Sequence, residues 1–270
     1  MINLYPLSEF KLPIMAGCIS PDVFQNQRSE EIRMLKVWEG NKERNLGELF
    51  KVEESIGEET SIMISGNVGE VRRVGACMRG GQITINGNAG MHLGEEMKGG
   101  KITVNGNVGG WAGSMMTAGE IEVQGNAGDY LGAPYRGSSE GIRGGRIVVH
   151  GDVGNEAGAH MKKGIIKVYG NAGQFVGFRL RDGTIYVQKN CQARAGACMI
   201  NGKIILGGFL ESVLPSFTID SIRGKVKIEE DETVSGPLYV FLGDLAEDGK
   251  GKLYVPKEKN PHLSSYERFL

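Results

Sequence analysis

Cysteine and histidine are the side chains of this sequence best suited to metal binding or nucleophilic chemistry. The cysteines form no C-x-x-C pair, and their wide spacing predicts neither an iron–sulfur cluster nor a zinc site; they are Cys18, Cys77, Cys191 and Cys198. Cys77 and Cys198 share one position of a repeat, which indicates small apolar fillers rather than reactive thiols. No zinc triad is predicted, because three histidines fall at different repeat positions and the fourth lies in the tail; they are His92, His150, His160 and His262.

Catalytic motifs are also missing from the sequence. It contains no GxSxG, no P-loop and no strand–GxGxxG–helix unit, because its glycines punctuate short strands instead of opening helices. The carboxylates Glu95, Glu96, Asp129 and Glu156 are scattered among repeat positions rather than paired for acid–base work. We therefore predict no catalytic, cofactor-binding or metal-binding residue on this chain.

Glycine is the exceptional component of an otherwise ordinary composition, at 43 of 270 residues. The formal net charge of −1, from 31 basic and 32 acidic residues, predicts neither a nucleic-acid nor a membrane partner. The first residues lack the basic start and apolar run of a signal peptide, and no 18-residue apolar stretch follows. A cytoplasmic protein is expected.

The glycines belong to a unit of about 19 residues that recurs from about Ser61 to Gly208. Its copies include QITINGNAGMHLGEEMKGG from Gln82 and KITVNGNVGGWAGSMMTAG from Lys101. Each carries an I-x-[IV] pair, whose alternation of β-branched residues predicts a short strand with one buried face. Such a unit cannot bury its apolar side without a copy above and below it.

This pattern predicts an all-β fold, a right-handed parallel β-helix of about seven coils. A left-handed β-helix is the competitor, but it has a six-residue beat that is not visible here. Residues 1–60 are expected to form a small N-terminal α/β cap, with a short helix from Ser20 to about Leu35 and a hairpin turning at Gly40-Asn41. Residues 61–208 form the repeats, and residues 209–270 form C-terminal strands and a polar tail.

Residues one repeat apart should lie above one another and form columns. An asparagine column predicts a structural ladder of amides; it comprises Asn67, Asn88, Asn107, Asn126, Asp152, Asn171 and Asn190. A methionine column, in which Ile and Leu each stand once, predicts a packed core row rather than a soft-metal site; it comprises Met78, Met97, Met116, Ile142, Met161, Leu180 and Met199.

Two features are candidates for a partner interface. The residues after the methionine column form a broken basic stripe, which is either a solvated face or a docking strip for an acidic partner; its cations are Arg79, Lys98, Arg143, Lys162 and Arg181. The fourth unit also carries seven extra residues within the stretch Ala133–Glu140, hereafter the insertion. Tyr135 and Arg136 give it chemistry favoured at interfaces, although a tolerated loop is the alternative.

The repeat can be written G-x-x-M-x-x-G-x-I-x-[IV]-x-G, a motif that fits Gly75–Gly87, Gly94–Gly106 and Gly113–Gly125, among others. With the leader PDVF…EEI and the tail GDLAEDGKGKLYV, it resembles the C subunit of formylmethanofuran dehydrogenase along nearly the whole chain. The repeat is also similar to the C-terminal domain of the glutamate synthase large subunit. The C subunit of the formyltransferase/hydrolase complex of methylotrophs is a third relative, and the leader and tail favour the first.

The resemblance implies a scaffold subunit of an oxidoreductase that acts on an aldehyde or oxo donor with ferredoxin as acceptor. That complex reduces CO2 and fixes it on methanofuran as formylmethanofuran, the first step of methanogenesis from CO2. Its tungsten or molybdenum pterin, iron–sulfur clusters and dinuclear metal site would belong to pterin-binding, ferredoxin-like and amidohydrolase-like partners. The alternatives are a complex that hydrolyses formylmethanofuran in C1 oxidation, or a stand-alone carbohydrate-acting β-helix protein.

Overall fold

Parallel strands one repeat apart build the larger of two sheets in this chain. The structure is a computed structural model that describes residues 1–56 and 61–270. The expected boundary between the N-terminal cap and the repeats, at residue 60, lies outside the described residues. The helices are short: α1 (Pro21–Phe24), α2 (Ser29–Arg33) and α3 (Leu46–Leu49), with two 3₁₀ helices at Leu245–Glu247 and Pro261–Phe269.

The strands before the repeats are β1 (Ile2–Pro6), β2 (Ile14–Met15), β3 (Lys36–Glu39), β4 (Lys42–Asn45) and β5 (Phe50–Glu54). The repeats contribute β6 (Ser61–Ser65), β7 (Val71–Arg72), β8 (Gln82–Asn86), β9 (Lys98–Val104), β10 (Ala118–Val123), β11 (Arg143–Val149), β12 (Lys163–Val168), β13 (Thr184–Val187) and β14 (Lys203–Leu206). The chain ends with β15 (Thr218–Lys227), β16 (Thr233–Gly243) and β17 (Gly251–Pro256).

The main sheet has 13 strands in the order β15-β16-β17-β14-β13-β12-β11-β10-β9-β8-β6-β1-β5, and a second sheet has four in the order β4-β3-β2-β7. Strands β6 and β8 to β14 are parallel, and Ile83, Ile102 and Ile121 are paired across three of them in register. The register predicted from the repeat is therefore confirmed. The β3–β4 hairpin turning at Gly40-Asn41 is also present.

The predicted right-handed parallel β-helix is wrong. The described residues form one mostly parallel 13-stranded sheet beside a four-stranded sheet, and residues 1–56 and 61–270 contain no closed barrel or coiled solenoid. The physical reason lies in the remainder of each repeat. In most repeats it holds two non-glycine residues with positive φ, such as Trp111 (+59°) and Met115 (+57°). It meets the next repeat through one isolated β-bridge, such as Val108 to Ala127, and through separate backbone hydrogen bonds, such as that from the Trp111 N–H to the Asp129 carbonyl. Backbone of this kind cannot extend into further regular sheets.

The N-terminal helix predicted from Ser20 to about Leu35 is divided into two helices. Asn26, between α1 and α2, has a φ of +63°, which is incompatible with continuing a right-handed helix. At the other end, the predicted C-terminal strands are present, and the first of them, β15, runs from Thr218 to Lys227. The C-terminal strands β15 to β17 join the main sheet through the parallel pair of β17 with β14.

The core follows the predicted columns. Every member of the methionine column is fully buried, which confirms the core row. The asparagine column is a ladder, as predicted, but its bonds run mainly from side chain to backbone: Asn88 Oδ1 accepts from the Asn107 N–H at 2.9 Å, and Asn107 Oδ1 accepts from the Asn126 N–H at 2.8 Å. From Asn88 to Asn190, each side-chain oxygen of the column thus satisfies a backbone donor in the next repeat.

A second apolar cluster is formed by side chains of strands β13 to β17 at one end of the main sheet; it includes Tyr186, Ile205, Val226, Leu238 and Val240. Lys167 of β12 is only 2% exposed beside this cluster, and its ammonium donates to the carboxylates of Glu229 and Glu232. Because a buried ammonium is costly without a partner, these two contacts help hold the turn between β15 and β16 onto the sheet.

Candidate functional site

A column of large side chains, not anticipated from the sequence, lines the turns of the repeats. It occupies one repeat position, always with a positive φ of 59° to 67°, and comprises Arg73, His92, Trp111, Tyr130, Glu156, Phe175 and Arg194. We call it the aromatic column. Its only sequence signal is the spacing, which the insertion shifts between Tyr130 and Glu156. Because its members differ in chemical type, no shared residue marks the position in the sequence.

The rings in the middle of the aromatic column are stacked. The ring centroids of Trp111 and Tyr130 lie 4.4 Å apart with an interplanar angle of 18°, and those of His92 and Trp111 lie 5.4 Å apart at 15°. The Tyr135 ring of the insertion packs against His92, with centroids 5.3 Å apart. The insertion is therefore attached to the column by aromatic contacts.

The buried carboxylate of Glu95 also holds the insertion beside the aromatic column. Glu95 is 1% exposed, and Tyr135 Oη donates a hydrogen bond to its Oε1. Arg73 Nη1 lies 3.1 Å from Glu95 Oε2, although within the described residues this oxygen receives no hydrogen bond of good geometry. The sequence does not distinguish Glu95 from the other scattered carboxylates, because the residues that contact it, Arg73 and Tyr135, come from two other repeats.

Burial is the largest cause of the pKa shifts of Glu95 and His92. Burial raises the pKa of the Glu95 carboxyl, the Arg73 charge opposes that rise, and the Glu96 charge adds to it. Burial also lowers the pKa of His92, and the charges of Arg73 and Arg72 lower it further. His92 is therefore neutral near pH 7 and stacks on Trp111 as an uncharged ring.

The raised pKa of Glu95 predicts a pH dependence of stability. Between the ordinary carboxyl pKa of 4.5 and the raised value in the folded protein, the native state holds more protons than the unfolded state. The free energy of unfolding should therefore fall as pH rises through that window. The stabilisation that Glu95 contributes is complete only at pH values below the window. In Glu95→Gln this fall should be absent, as measured by urea unfolding between pH 4 and pH 8.

The matched control is Glu258→Gln, which makes the same change at an exposed glutamate outside the repeats. It should unfold with the pH profile of the original chain. If Glu95→Gln and the original chain show parallel profiles, Glu95 does not titrate as its burial requires.

The basic stripe lies on the surface as an ordered row. Arg79, Lys98, Arg143 and Arg181 are exposed and Lys162 is half-buried. Backbone bonds join successive repeats along it: the Lys98 N–H donates to the Met78 carbonyl at 2.7 Å, and the Arg181 N–H to the Met161 carbonyl at 2.8 Å. The stripe therefore presents one cation in each of five repeats on one side of the sheet, interrupted by the neutral Thr117.

Glu140 of the insertion already neutralises part of the stripe. Lys162 Nζ lies 2.5 Å from Glu140 Oε1, and Arg143 Nη1 lies 3.6 Å from Glu140 Oε2. Among residues 1–56 and 61–270, no ion pair includes the cations of Arg79, Lys98 or Arg181. The structure thus joins the insertion to two of the five predicted cations and leaves the other three facing solvent.

Tyr135 and Arg136 have different surroundings. Tyr135 is half-buried and donates a hydrogen bond to Glu95, whereas Arg136 is exposed. A hydrogen bond with Tyr130 raises the pKa of Arg136, and the Glu156 charge acts in the same direction. Of the two residues predicted for the insertion, Arg136 is the one that faces outward, and Tyr135 is the one that fixes the loop.

The four cysteines differ in how deeply they are buried. Burial raises the pKa of the Cys18 thiol to about 11 and that of Cys191 to about 12. Cys77 is exposed with a φ of +59°, so its interpretation as an apolar filler was wrong. Cys198, at the same repeat position, is half-buried with a φ of +58°. This position is a left-handed turn and not part of the core.

Within residues 1–56 and 61–270, no three His, Cys, Asp or Glu side chains are grouped closely enough to hold a metal ion. In the same described parts of the chain, no helix has the length and apolar character needed to cross a membrane.

Comparison with protein-family models gives no match. A curated relative from Methanococcus maripaludis, the C subunit of the tungsten-containing formylmethanofuran dehydrogenase 2, is 46% identical over 261 residues, covering 94% of this chain and 96% of the relative. The C subunit of the molybdenum-containing formylmethanofuran dehydrogenase 1 of Methanothermobacter marburgensis is 44% identical over 91 residues. That match covers 34% of this chain and spans only 23% of the relative's length.

A solved structure is similar along nearly the whole chain. It is a chain of the formyltransferase/hydrolase complex from Methylorubrum extorquens, determined by X-ray crystallography in complex with methylofuran. The TM-score is 0.84 at 28% sequence identity, and the match covers 94% of this chain and 99% of that chain. The comparisons therefore include a formylmethanofuran dehydrogenase C subunit and a chain of the formyltransferase/hydrolase complex, two of the three resemblances stated from the sequence.

Proposed function

Because this chain belongs to the family of formylmethanofuran dehydrogenase C subunits, we propose that it is the scaffold subunit of such a complex. The complex reduces CO2 and fixes it on methanofuran as formylmethanofuran. The observation that carries the proposal is the 46% identity that extends over 94% of the chain, through the repeats and both ends. Glycine-rich repeats alone would not produce a match at both ends.

The reaction centres are assigned to other subunits. The absence of a group of three His, Cys, Asp or Glu side chains among the described residues is consistent with this assignment, and we derive no catalytic step on this chain. We place the tungsten or molybdenum pterin and the iron–sulfur clusters in pterin-binding and ferredoxin-like subunits, and the dinuclear metal site in an amidohydrolase-like subunit. The contribution of this chain is to bind these partners and hold them in register, in the cytoplasm.

The ends of the chain protect the repeats in this proposal. We infer a division into an N-terminal cap (residues 1–60), repeats (61–208) and C-terminal strands with a tail (209–270). Pairing of β1 with β6 and of β17 with β14 supports it, because each covers a strand edge that would otherwise be open. Asn260 supports it too: this buried side chain donates to the Gly208 carbonyl at 3.0 Å and accepts from the Leu210 N–H at 2.8 Å.

The partner interface is proposed to comprise the basic stripe and Arg136 of the insertion. A row of exposed cations, with three outside any ion pair among the described residues, supports electrostatic docking of an acidic surface. Arg143 and Lys162 would then serve a second purpose, because their contacts with Glu140 hold the insertion against the stripe.

Charge reversal of the stripe tests this interface. Lys98→Glu combined with Arg181→Glu should weaken binding of the partner subunits by about tenfold at low ionic strength, because two attractive charges become repulsive. The deficit should shrink as salt is added and screens the exposed charges. Affinity is measured by titrating immobilised chain with the remaining purified subunits at several salt concentrations.

Arg223→Glu with Lys225→Glu is the control, since it changes the charge equally at exposed positions of β15, away from the stripe. It should bind as the unaltered chain does. Equal affinities for all three proteins at every salt concentration would show that the stripe is a solvated face.

The decisive experiment replaces the 46%-identical subunit of Methanococcus maripaludis with a tagged copy of this chain. Purified from those cells, the chain should retain the other subunits, and the assembly should form formylmethanofuran from CO2. The isolated chain should have no activity. An active, metal-containing chain without partners would contradict the proposal and favour a stand-alone enzyme.

The second candidate is a subunit of a complex that hydrolyses formylmethanofuran. The structural likeness to a chain of the formyltransferase/hydrolase complex favours it. Purification of this chain from its own source with its natural partners separates the two proposals. A complex that releases formate from formylmethanofuran but reduces no CO2 would favour this second candidate.

A further inference from the structure

A cavity lies on one face of the main sheet, where strands β13, β14 and β17 begin. Its volume is about 280 Å³, and its lining includes Thr184, Lys203 and Lys252. These three residues form a row across adjacent parallel strands, because Thr184 is the partner of Lys203 and Lys203 is the partner of Lys252. Ile185 and Ile204, the next residues of two of the strands, are fully buried in the core on the opposite face.

The lysines of this cavity lack carboxylate partners. Lys250, two residues before Lys252 in the chain, also lines the cavity. Within the part of the chain that the structure describes, no ion pair includes Lys203, Lys250 or Lys252. Like charges directly opposite each other on neighbouring strands destabilise a sheet. A bound anion would remove this repulsion.

The ammonium of Lys203 is held in position before any anion binds. It donates a hydrogen bond to the Lys227 carbonyl at 2.6 Å, and its other two N–H donors have no partner among the described residues. Burial lowers the pKa of Lys203, and no nearby carboxylate opposes that shift. An anion in the cavity would therefore meet a fixed charge with donors to spare.

The hydroxyl of Thr184 is a second, independent indication of a ligand. The residue is only 9% exposed, yet its hydroxyl makes no hydrogen bond to any residue that the structure describes. Polar side chains at such buried positions usually have a partner. Because Thr184 lines the cavity, an acceptor bound there would supply the missing partner.

The charges and residue types of the lining select the class of anion. Three ammonium groups stand against one carboxylate in the described lining, that of Asp182, and one of its oxygens already accepts the Gly183 N–H at 2.7 Å. The excess of two positive charges matches a phosphate group, which carries about −1.5 to −2 at pH 7. The described lining has no arginine, whose planar fork suits a carboxylate, whereas lysine binds phosphate as a point charge.

We propose that this cavity binds a phosphate group. Lys203, Lys250 and Lys252 neutralise its charge, and the Thr184 hydroxyl donates a hydrogen bond to one of its oxygens. The volume of about 280 Å³ is just below the range of about 300–1,000 Å³ that is usual for small-molecule sites, which favours inorganic phosphate or a small phosphomonoester over a nucleotide. The site does not depend on the proposed function, because every residue in it belongs to this chain.

Titration calorimetry of the full chain with inorganic phosphate tests the site. The unaltered chain should bind phosphate saturably, with one ion per chain. Lys250→Gln should weaken binding by about tenfold and Thr184→Val by about fivefold, because each removes one donor to the anion. Lys250 is exposed and valine has nearly the shape of threonine, so both variants should fold as the unaltered chain does.

Lys42→Gln and Thr103→Val are the matched controls. Lys42 is exposed on β4 of the second sheet, and Thr103 is half-buried on β9, outside the cavity. Both variants should bind phosphate with the affinity of the unaltered chain. The site is refuted if the unaltered chain shows no saturable binding, or if the cavity variants and the controls have equal affinities.

Separate titrations distinguish the two sources of the phosphate group. Glycerol 2-phosphate that binds at least as tightly as inorganic phosphate indicates a small phosphomonoester as the ligand, and weaker binding of this ester indicates the free anion. Acetate at the same ionic strength should displace neither, because it has one negative charge and two acceptor atoms. Displacement by equal concentrations of acetate would mean that the lysines attract any anion, which overturns the proposal.

Discussion

Replacing Met97 by alanine is expected to lower the free energy of unfolding by about 2–5 kcal/mol. Met97 is fully buried in the methionine column, and its thioether methyl group packs against Gly119 of the next repeat. A Cβ placed on Gly119 would lie 2.7 Å from Met97 Cε, so the methionine occupies the space that a side chain would otherwise fill. Alanine therefore leaves a cavity that the glycine opposite cannot close.

Met34→Ala is the control, because that side chain is 63% exposed and its truncation should change stability by no more than about 0.5 kcal/mol. Met97→Leu should retain most of the stability, since Leu180 occupies the equivalent position of a later repeat. Both are measured by urea unfolding. Similar small effects for Met97→Ala and Met34→Ala would contradict the assignment of a packed core row.

Replacing Gly106 by alanine should lower the free energy of unfolding by about 1–3 kcal/mol. A Cβ at this position would lie 2.5 Å from the carbonyl oxygen of Gly87 and 2.9 Å from Asn88 Oδ1. Both neighbours belong to the preceding repeat, and the first is backbone that cannot rotate away. To admit the methyl group the repeats must separate, which also stretches the 2.9 Å bond from the Asn107 N–H to Asn88 Oδ1.

Gly80→Ala serves as the matched control, because no atom lies within 4 Å of a Cβ there and the glycine has no left-handed φ. Its stability should stay the same or rise slightly, since alanine restricts the unfolded chain. The two variants are compared by thermal and urea unfolding. Equal stabilities would mean that the repeats can move apart at no cost, which contradicts the close approach at Gly106.

The candidate interface was predicted only in part. The insertion is visible in the sequence as a break in the repeat, and Tyr135 and Arg136 are visible as interface chemistry. The partners of Tyr135 are not, because Glu95 is 40 residues away and nothing in its local sequence marks it as buried. Which cations of the basic stripe are paired with Glu140 likewise depends on where the insertion folds.

The local sequence by itself determined the pairing register, the buried methionine row, the asparagine ladder and the β3–β4 hairpin. The first three depend on which residue lies beside its copy one repeat away, and spacing along the chain sets that directly. The hairpin depends on the turn residues Gly40-Asn41. The tertiary structure decided the path of the chain between strands, and the prediction of closed coils was wrong for that part of each repeat. Backbone sterics allow a positive φ at Trp111 or Cys77 only where neighbouring repeats supply compensating hydrogen bonds, and residue types alone do not reveal those bonds.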